Sequence, residues 1–203
     1  MLDATSPLTF DKASHTYRWQ GVLVPNVTRL LQSLHSFADV PPDILEAAQD
    51  RGTDVHSMTQ MFDEDDLDEA RLKIERPDLH TYLAGYRKFL RDATPNWRSI
   101  EEPVFHRTLR YATTPDRIGE IKFEGKRVPD AVVEIKTSLS SHPVWGIQTA
   151  AQANAAGRPT ARRFSLQLFP DATYKLREWP DPDDWPAFVS LVTLNTWKIR
   201  NHL

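Results

Sequence analysis

The chain has 203 residues, of which 40% are hydrophobic and 26% are charged, a balance typical of one globular domain of ordinary size. The formal net charge is -3, from 25 basic and 28 acidic residues, which argues against a uniformly basic surface for nucleic acid. There is no cysteine, so disulfides, Cys-ligated zinc, iron–sulfur clusters and a cysteine nucleophile are excluded.

Segments typical of membrane helices and of secretory signals have recognisable sequence patterns. No apolar run approaches the roughly 18 residues that a membrane helix needs. The first six residues lack the basic and apolar regions of a secretory signal. We therefore expect a cytoplasmic protein with no membrane partner.

Residues 1–95 are predicted to be mainly helical after a short strand. Residues 15–19 alternate in polarity and are followed by Gly21, which predicts a small strand and turn. Apolar spacing then predicts three helices, one from the N-cap Asn26 to about residue 35, one from Asp43 to Phe62, and one from Leu79 to about Thr94. Between the last two, six of the seven residues in 63–69 are acidic, and we expect them to form a solvated loop.

The pattern changes at residue 98 to runs of β-branched residues separated by turn residues. Strands are predicted at 100–106, 117–123, 127–137, 162–169 and 173–179. A helix is predicted over 142–156, with Gly157 as its stop, and a last helix begins at Asp183 or Asp184. This order predicts an α/β fold with a central mixed β-sheet flanked by helices. The single domain 1–203 would comprise a mainly helical N-terminal region over 1–95, a sheet core over 96–180 and a C-terminal helix over 181–203.

Asp116, Glu134 and Lys136 are the residues with the clearest chemical content. Glu134 and Lys136 are two apart on a predicted strand that is otherwise apolar, so they share one face. Such charges are costly beside a buried strand unless they pair or bind something. Asp116, from the preceding strand region, could converge with them into a site for a hard divalent cation and an activated water. The alternative is an exposed Glu–Lys pair on an edge strand.

Several short motifs surround these residues in a fixed order. They are Val24-Pro25-Asn26-Val27-Thr28, Arg51-Gly52-Thr53-Asp54-Val55-His56, Glu101-Glu102-Pro103-Val104-Phe105, Tyr111-Ala112-Thr113-Thr114-Pro115-Asp116-Arg117, Glu134-Ile135-Lys136-Thr137-Ser138 and Gln148-Thr149-Ala150-Ala151-Gln152. With them, residues 15–156 resemble the PD-(D/E)XK nuclease superfamily. The resemblance is closest to its RecB-like branch, which includes phage and prophage exonucleases and the mitochondrial genome maintenance exonuclease. It implies a restriction-endonuclease-like core.

The resemblance also implies roles for individual residues. The implied metal ligands are His56, Asp116, Glu134 and the backbone carbonyl of Ile135. Lys136 would orient or deprotonate the attacking water and offset charge on the scissile phosphate. Glu101, with Glu102 as the neighbouring candidate, would be the early glutamate of the pattern, and Gln148 would help to position the site. The implied substrate-binding residues are Arg51, Thr137, Ser138, Trp145 and Gln152.

Simpler interpretations stand beside these roles. His56 would otherwise be a packed or surface histidine, Gln148 a loop partner, Trp145 a core residue and Arg51 a helix-surface charge. The basic clusters Arg107, Arg110, Arg117 and Arg158, Arg162, Arg163 either contact phosphates or are solvated. The acidic run 63–69 would alternatively form a repulsive rim that steers DNA. Two positions depart from the family pattern, which usually has glycine at Thr113 and tyrosine at Gln152.

The implied activity is that of a DNA exonuclease dependent on Mg²⁺ or Mn²⁺, of phage or prophage type, acting in recombination or repair. Relatives with an iron–sulfur cluster need four cysteines, so this chain is not one of them. If the chain is phage-encoded, its location would be the bacterial host cell. A structure-specific endonuclease on the same scaffold and a non-catalytic DNA-binding module are the alternatives. A single-strand annealing protein is one candidate partner.

Overall fold

The computed structural model describes residues 7–12, 14–34 and 41–203. Within these ranges the strands are β1 (Leu8–Asp11), β2 (Thr16–Trp19), β3 (Val22–Val24), β4 (Asn96–Ile100), β5 (Val104–His106), β6 (Tyr111–Thr113), β7 (Arg117–Phe123), β8 (Lys126–Lys136), β9 (Arg162–Leu168) and β10 (Tyr174–Glu178). The helices are α1 (Val27–Leu31), α2 (Pro42–Asp63), α3 (Glu69–Glu75), α4 (Pro77–Ala93), α5 (Val144–Ala155) and α6 (Asp184–Arg200), and a 3₁₀ turn (Gln32–Leu34) follows α1. No helix of the described residues is long and apolar enough to cross a membrane.

A five-stranded sheet in the order β10-β9-β8-β7-β4 forms the centre of the fold. The pair β8–β9 is parallel and the other three pairs are antiparallel, so the sheet is mixed. Helix α5 connects the two parallel strands, as a parallel crossover requires. The predicted α/β fold with a central mixed sheet flanked by helices is confirmed.

The two faces of the sheet are covered by different helices. On one face, Leu83, Tyr86 and Phe89 of α4 belong to the same buried cluster as Val133 and Ile135 of β8, together with Val55 and Met58 of α2. On the other face, Ala153 of α5 packs with Ile118 and Val132. Glu134 has the parity of Val132, so the strand period places it on the α5 face.

The N-terminal region contains more strand than predicted. Strand β2 confirms the predicted strand at 15–19, but β1 and β3 pair with it in a three-stranded antiparallel sheet. Asn26 caps α1 as predicted, because its side chain accepts the Arg29 N–H at 2.7 Å. The helix itself is shorter than expected and tightens into the 3₁₀ turn, and residue 35 lies outside the described residues.

The prediction for the acidic run 63–69 was wrong at both ends. Asp63 is the last residue of α2, its side chain is 6% exposed, and Arg117 donates to it. Glu69 begins α3 and pairs with Arg87, while Asp68 caps that helix by accepting the Arg71 N–H. Composition alone showed the charge, but the partners of Asp63 and Glu69 come from distant segments of the chain.

The predicted strand at 100–106 is divided in the structure. Strand β4 ends at Ile100, and β5 begins at Val104 and pairs with β6 in a separate two-stranded sheet. The chain turns at Glu101, whose φ of 50° lies in the left-handed region. This break places Glu101 at the end of the central sheet.

The basic cluster after α5 is neutralised by acidic partners. Arg158 pairs with Asp130, Arg162 pairs with Glu178, and Arg163 pairs with Asp184. Arg163 also donates to the Gly146 carbonyl at 2.8 Å, so it ties the start of α6 to α5. We conclude that these arginines hold the fold together and do not form a free phosphate-binding cluster.

Candidate active site

Asp116 and Glu134 meet at the point where β7 begins and β8 ends. The antiparallel register pairs Arg117 with Val133, so Asp116 comes opposite Glu134. Oδ2 of Asp116 accepts the backbone N–H of Ile135 at 2.6 Å. Both carboxylates are buried, at 4% exposure each. The two strands therefore bring the acidic groups together as the sequence suggested.

His56, Glu101 and Asp116 form a group that could hold a metal ion. Their ligand atoms all lie within 4.8 Å of one another. Nδ1 of His56 lies 3.3 Å from Oδ1 of Asp116 and 3.4 Å from Oε1 of Glu101. We call this group the His56 cluster. It joins α2, the turn after β4 and the start of β7.

The charges of the His56 cluster favour a cation. Burial lowers the pKa of His56, but the adjacent Asp116 and Glu101 carboxylates outweigh burial and hold that pKa well above its ordinary value. An imidazole that is drawn toward its charged form between two carboxylates marks a place of negative potential. Metal ions and protons compete for such ligands, so the donor set fits a divalent cation.

The backbone at Glu101 is held in an unusual conformation. Its φ of 50° is sparsely populated by residues other than glycine. The Glu101 N–H donates to the Asp116 carbonyl at 3.0 Å, which fixes this turn against β7. The neighbouring Glu102 is exposed and accepts the Ser99 hydroxyl at 3.1 Å. Of the two candidate glutamates, the structure brings Glu101 to the cluster.

Lys136 and Glu134 form a second group beside the His56 cluster. The Lys136 ammonium donates to Oε1 of Glu134 at 2.8 Å and to Oε1 of Gln148 at 3.0 Å. The Gln148 amide donates to Oε1 of Glu134 at 2.5 Å, and the Gln152 amide donates to Oε2 at 2.6 Å. Burial and the nearby Asp116 charge raise the pKa of Glu134 in spite of Lys136. The edge-strand alternative is wrong, because β8 is a central strand.

Two of the implied metal ligands, Glu134 and the Ile135 carbonyl, are not among the three side chains of the His56 cluster. The two oxygens of Glu134 accept hydrogen bonds from Lys136, Gln148 and Gln152, and its role as a metal ligand stays a prediction. The backbone N–H of Ile135 donates to Asp116, and the ligand role suggested for its carbonyl stays a prediction. Glu101 is the third member of the cluster, with His56 and Asp116.

Two of the implied substrate contacts are buried. Trp145 is 7% exposed and packs edge-on against Trp179, and the Lys136 ammonium lies 5.9 Å from its ring centroid. Gln152 is 1% exposed and bonds to Glu134. Neither side chain can reach a nucleic acid in this arrangement. Core packing is therefore the correct interpretation for Trp145, and Gln152 is a partner of Glu134.

The other substrate candidates lie around the end of β8. A Cβ atom on Gly52 would lie 3.8 Å from Oγ1 of Thr137, so the Arg51 turn of α2 is adjacent to this end. Nε of Arg51 is buried and has no hydrogen-bond partner among the described residues. Ser138 is exposed, and its hydroxyl donates to the Ser140 carbonyl. The Arg51 turn and Thr137 thus lie next to each other at the end of β8, and Ser138 follows Thr137 in the chain.

For Arg117 the sequence left two alternatives open, phosphate contact and a solvated charge, and the structure shows neither, because the side chain is buried. Its side chain is fully buried, with Nε donating to Asp63 at 2.6 Å and Nη1 donating to the Asp116 carbonyl at 2.7 Å. Arg107 and Arg110 of the same cluster are exposed. Asp63, which accepts from Arg117, and Tyr86, which donates to Asp63, were not predicted from the sequence. Asp63 stands in an acidic run and Tyr86 in an apolar helix stripe, and neither pattern indicates a buried ion pair.

Comparisons with known proteins do not add to this description. A scan against protein-family models gives no match, and a search of the curated proteins gives none.

Proposed function

We propose that the chain is a divalent-metal-dependent DNA exonuclease with a PD-(D/E)XK core, which hydrolyses phosphodiester bonds in phage- or prophage-type recombination or repair. One observation carries the proposal. The Asp116 carboxylate bonds the N–H of Ile135, the residue between Glu134 and Lys136, so the His56 cluster and the Lys136–Glu134 pair adjoin. A metal-ligand set next to a restrained lysine is what hydrolysis of a phosphodiester requires.

The residues of the His56 cluster would hold the metal ion. Carboxylate oxygens suit Mg²⁺ and Mn²⁺, and an imidazole shifts the preference toward Mn²⁺. When bound, the ion supplies charge relief for the phosphate and a more acidic bound water. The chain contributes a fixed carboxylate, since Asp116 is buried and its second oxygen is held by the Ile135 N–H.

Lys136 would act on the water and on the phosphate. Its side chain is one-fifth exposed, so its ammonium is reachable from solvent while Glu134 and Gln148 fix its position. A fixed cation that faces the reaction centre stabilises the negative charge that develops there without reorganising. Glu134 would serve as the anchor of this lysine, and Arg51, on the α2 turn next to the end of β8, would hold a flanking phosphate.

Exonuclease action and DNA as substrate are proposed because the ordered motifs resemble the RecB-like branch. The alternatives differ in measurable ways. An exonuclease needs a strand end and spares closed circular DNA, whereas an endonuclease cuts it. A non-catalytic binding module would bind DNA and leave both substrates intact.

The test uses purified protein with end-labelled linear single-stranded DNA, end-labelled duplex and closed circular DNA, each with Mg²⁺, Mn²⁺ or EDTA. Lys136→Ala is the inactive variant, and Lys175→Ala, at an exposed position on β10, is its matched control. We expect metal-dependent loss of the linear substrates in the wild type and the control, and none in Lys136→Ala. Cleavage of closed circular DNA would show that the protein is an endonuclease and not an exonuclease. Full activity of Lys136→Ala would overturn the proposed site.

A further inference from the structure

Arg117 is a fully buried cation directly beside the His56 cluster. Its Nη1 donates to the Asp116 carbonyl at 2.7 Å and lies 3.5 Å from Oε1 of Glu101. The same Asp116 carbonyl accepts the Glu101 N–H at 3.0 Å. Arg117 therefore touches both the main chain and the side chain that set the position of Glu101.

The other side of Arg117 is fixed by Asp63 and Tyr86. Nε of Arg117 donates to Oδ2 of Asp63 at 2.6 Å, and the Tyr86 hydroxyl donates to the same oxygen at 2.5 Å. Tyr86 is fully buried on α4. Asp63 ends α2, the helix that carries His56 two turns earlier. The chain of contacts from Tyr86 through Asp63 to Arg117, which we call the Arg117 network, thus connects α4 and α2 to β7.

Stability alone does not account for the Arg117 network. A buried ion pair gains little net stability, because the desolvation of its charges offsets their attraction. In addition, Nη2 of Arg117 is buried without a hydrogen-bond partner among the described residues, which is a further cost. A packed apolar set of the same volume would hold the helices to the sheet at least as well. What apolar residues could not do is donate to Asp116 and Glu101.

We infer that the Arg117 network is a positioning device that sets the affinity of the His56 cluster for a divalent cation. It fixes the turn at Glu101, whose left-handed backbone would otherwise relax, and so keeps the Glu101 carboxylate near His56 and Asp116. Groups that orient metal ligands from outside the ligand set typically change metal affinity about 10- to 100-fold when they are removed. The inference rests on the proposed function, because it assumes that the cluster binds a cation.

Two charge-preserving variants test the inference, since they separate position from electrostatics. Tyr86→Phe removes one hydroxyl and its bond to Asp63. Arg117→Lys keeps the charge, but one ammonium cannot reach Asp63, Asp116 and Glu101 together. The matched controls are Tyr174→Phe, which removes a 2.6 Å bond to Asp92, and Arg162→Lys, which breaks the paired bonds to Glu178. Tyr174 lies on β10 and Arg162 on β9, whereas the cluster joins α2, the turn after β4 and the start of β7.

The measurements are Mn²⁺ affinity by calorimetry, thermal stability, and kcat and KM for DNA over a range of Mn²⁺ concentrations. We expect about 10-fold weaker Mn²⁺ binding in Tyr86→Phe and a larger loss in Arg117→Lys. The lower kcat at limiting Mn²⁺ should recover when Mn²⁺ is raised, while the KM for DNA is unchanged. Both controls should bind Mn²⁺ as the wild type does.

Wild-type Mn²⁺ affinity in Tyr86→Phe would overturn the inference and leave the proposed function intact. Because that variant changes a single hydroxyl, it decides the question even if Arg117→Lys does not fold. A loss of stability without a loss of Mn²⁺ affinity would show a merely structural role and would also overturn it. A wild-type protein that binds no Mn²⁺ would overturn the proposed function and the inference together.

Discussion

Gln152 donates a hydrogen bond of 2.6 Å to Oε2 of Glu134 inside the fold, where both side chains are buried. Gln148, one helical turn earlier on α5, holds the other oxygen of the same carboxylate. Helix α5 therefore fixes Glu134 through two amides, and Glu134 in turn fixes Lys136. Hydrogen bonds to an ionised, buried acceptor are among the stronger ones in proteins.

Replacement of Gln152 by leucine tests whether the amides of α5 position Glu134. The substitution leaves Oε2 of Glu134 without its donor, and an unsatisfied buried acceptor costs about 1–3 kcal/mol. Oε1 of Gln152 is itself buried without a partner among the described residues, so its removal places the net loss near the lower end of that range. We expect a lower kcat with unchanged Mn²⁺ affinity, measured together with urea unfolding. Asn154→Ala, which removes a bond to the Ala150 carbonyl on the same helix, is the control. A wild-type kcat in Gln152→Leu would contradict a role of Gln152 in positioning Glu134.

The pair Glu101 and Glu102 offers a sharp comparison of adjacent residues. Glu101 belongs to the His56 cluster, whereas Glu102 is exposed and accepts a bond from Ser99. We expect Glu101→Gln to lose roughly 100-fold or more in cleavage rate, because a metal ion supplies several kcal/mol of transition-state stabilisation. Glu102→Gln should cleave end-labelled DNA at the wild-type rate. Equal cleavage rates in the two variants would show that Glu101 is not part of the active site.

Binding of the metal ion should also stabilise the fold. A ligand that binds only the folded state at about 100 times its Kd adds about 2.7 kcal/mol of stability. We therefore expect the Tm to rise with Mn²⁺ concentration in the wild type and to fall back on addition of EDTA. Asp116→Asn should show no such rise. Asp130→Asn, a position that pairs with Arg98 and Arg158, should retain it. A rise in Tm that persists in Asp116→Asn would place the metal elsewhere.

The elements of the fold that repeat a local pattern could be predicted from the sequence. The apolar stripe of α4, the strands β7 to β10 and the stop of α5 at Gly157, with a φ of 70°, follow from spacing and turn residues. The convergence of Asp116 with Glu134 followed from two neighbouring strands. These features depend on residues close in sequence, so periodicity and local backbone chemistry are sufficient to find them.

The features that depend on distant partners could not be predicted in this way. Asp63 stands in an acidic run, and only the fold shows that Arg117, 54 positions later, makes it a buried ion-pair partner. Gln152 and Trp145 are polar or aromatic residues near the motif that contains Glu134 and Lys136, which suggested substrate contact. Their burial is decided by how α5 packs on the sheet, and the sequence does not encode that packing in any local signal.

Two helical glycines give opposite expectations for stability. A Cβ atom on Gly52 of α2 would meet only Oγ1 of Thr137 at 3.8 Å, an ordinary contact, so Gly52→Ala should gain about 0.5–1 kcal/mol from helix propensity. A Cβ atom on Gly85 of α4 would lie 2.7 Å from the carbonyl oxygen of Thr173, and backbone cannot move aside cheaply. Gly85→Ala should therefore lose about 1–3 kcal/mol through overpacking.

Urea unfolding midpoints of the two variants measure this difference. The close approach at Gly85 is supported independently by Lys88, whose ammonium donates to the Ala172 carbonyl at 2.7 Å. If Gly85→Ala proves as stable as Gly52→Ala, then α4 does not lie against the turn between β9 and β10. The hydrogen bond from Tyr86 to Asp63 would then also be in doubt, because Tyr86 follows Gly85 on the same helix. Tyr86 packs in one buried cluster with Leu83 and Phe89 of that helix.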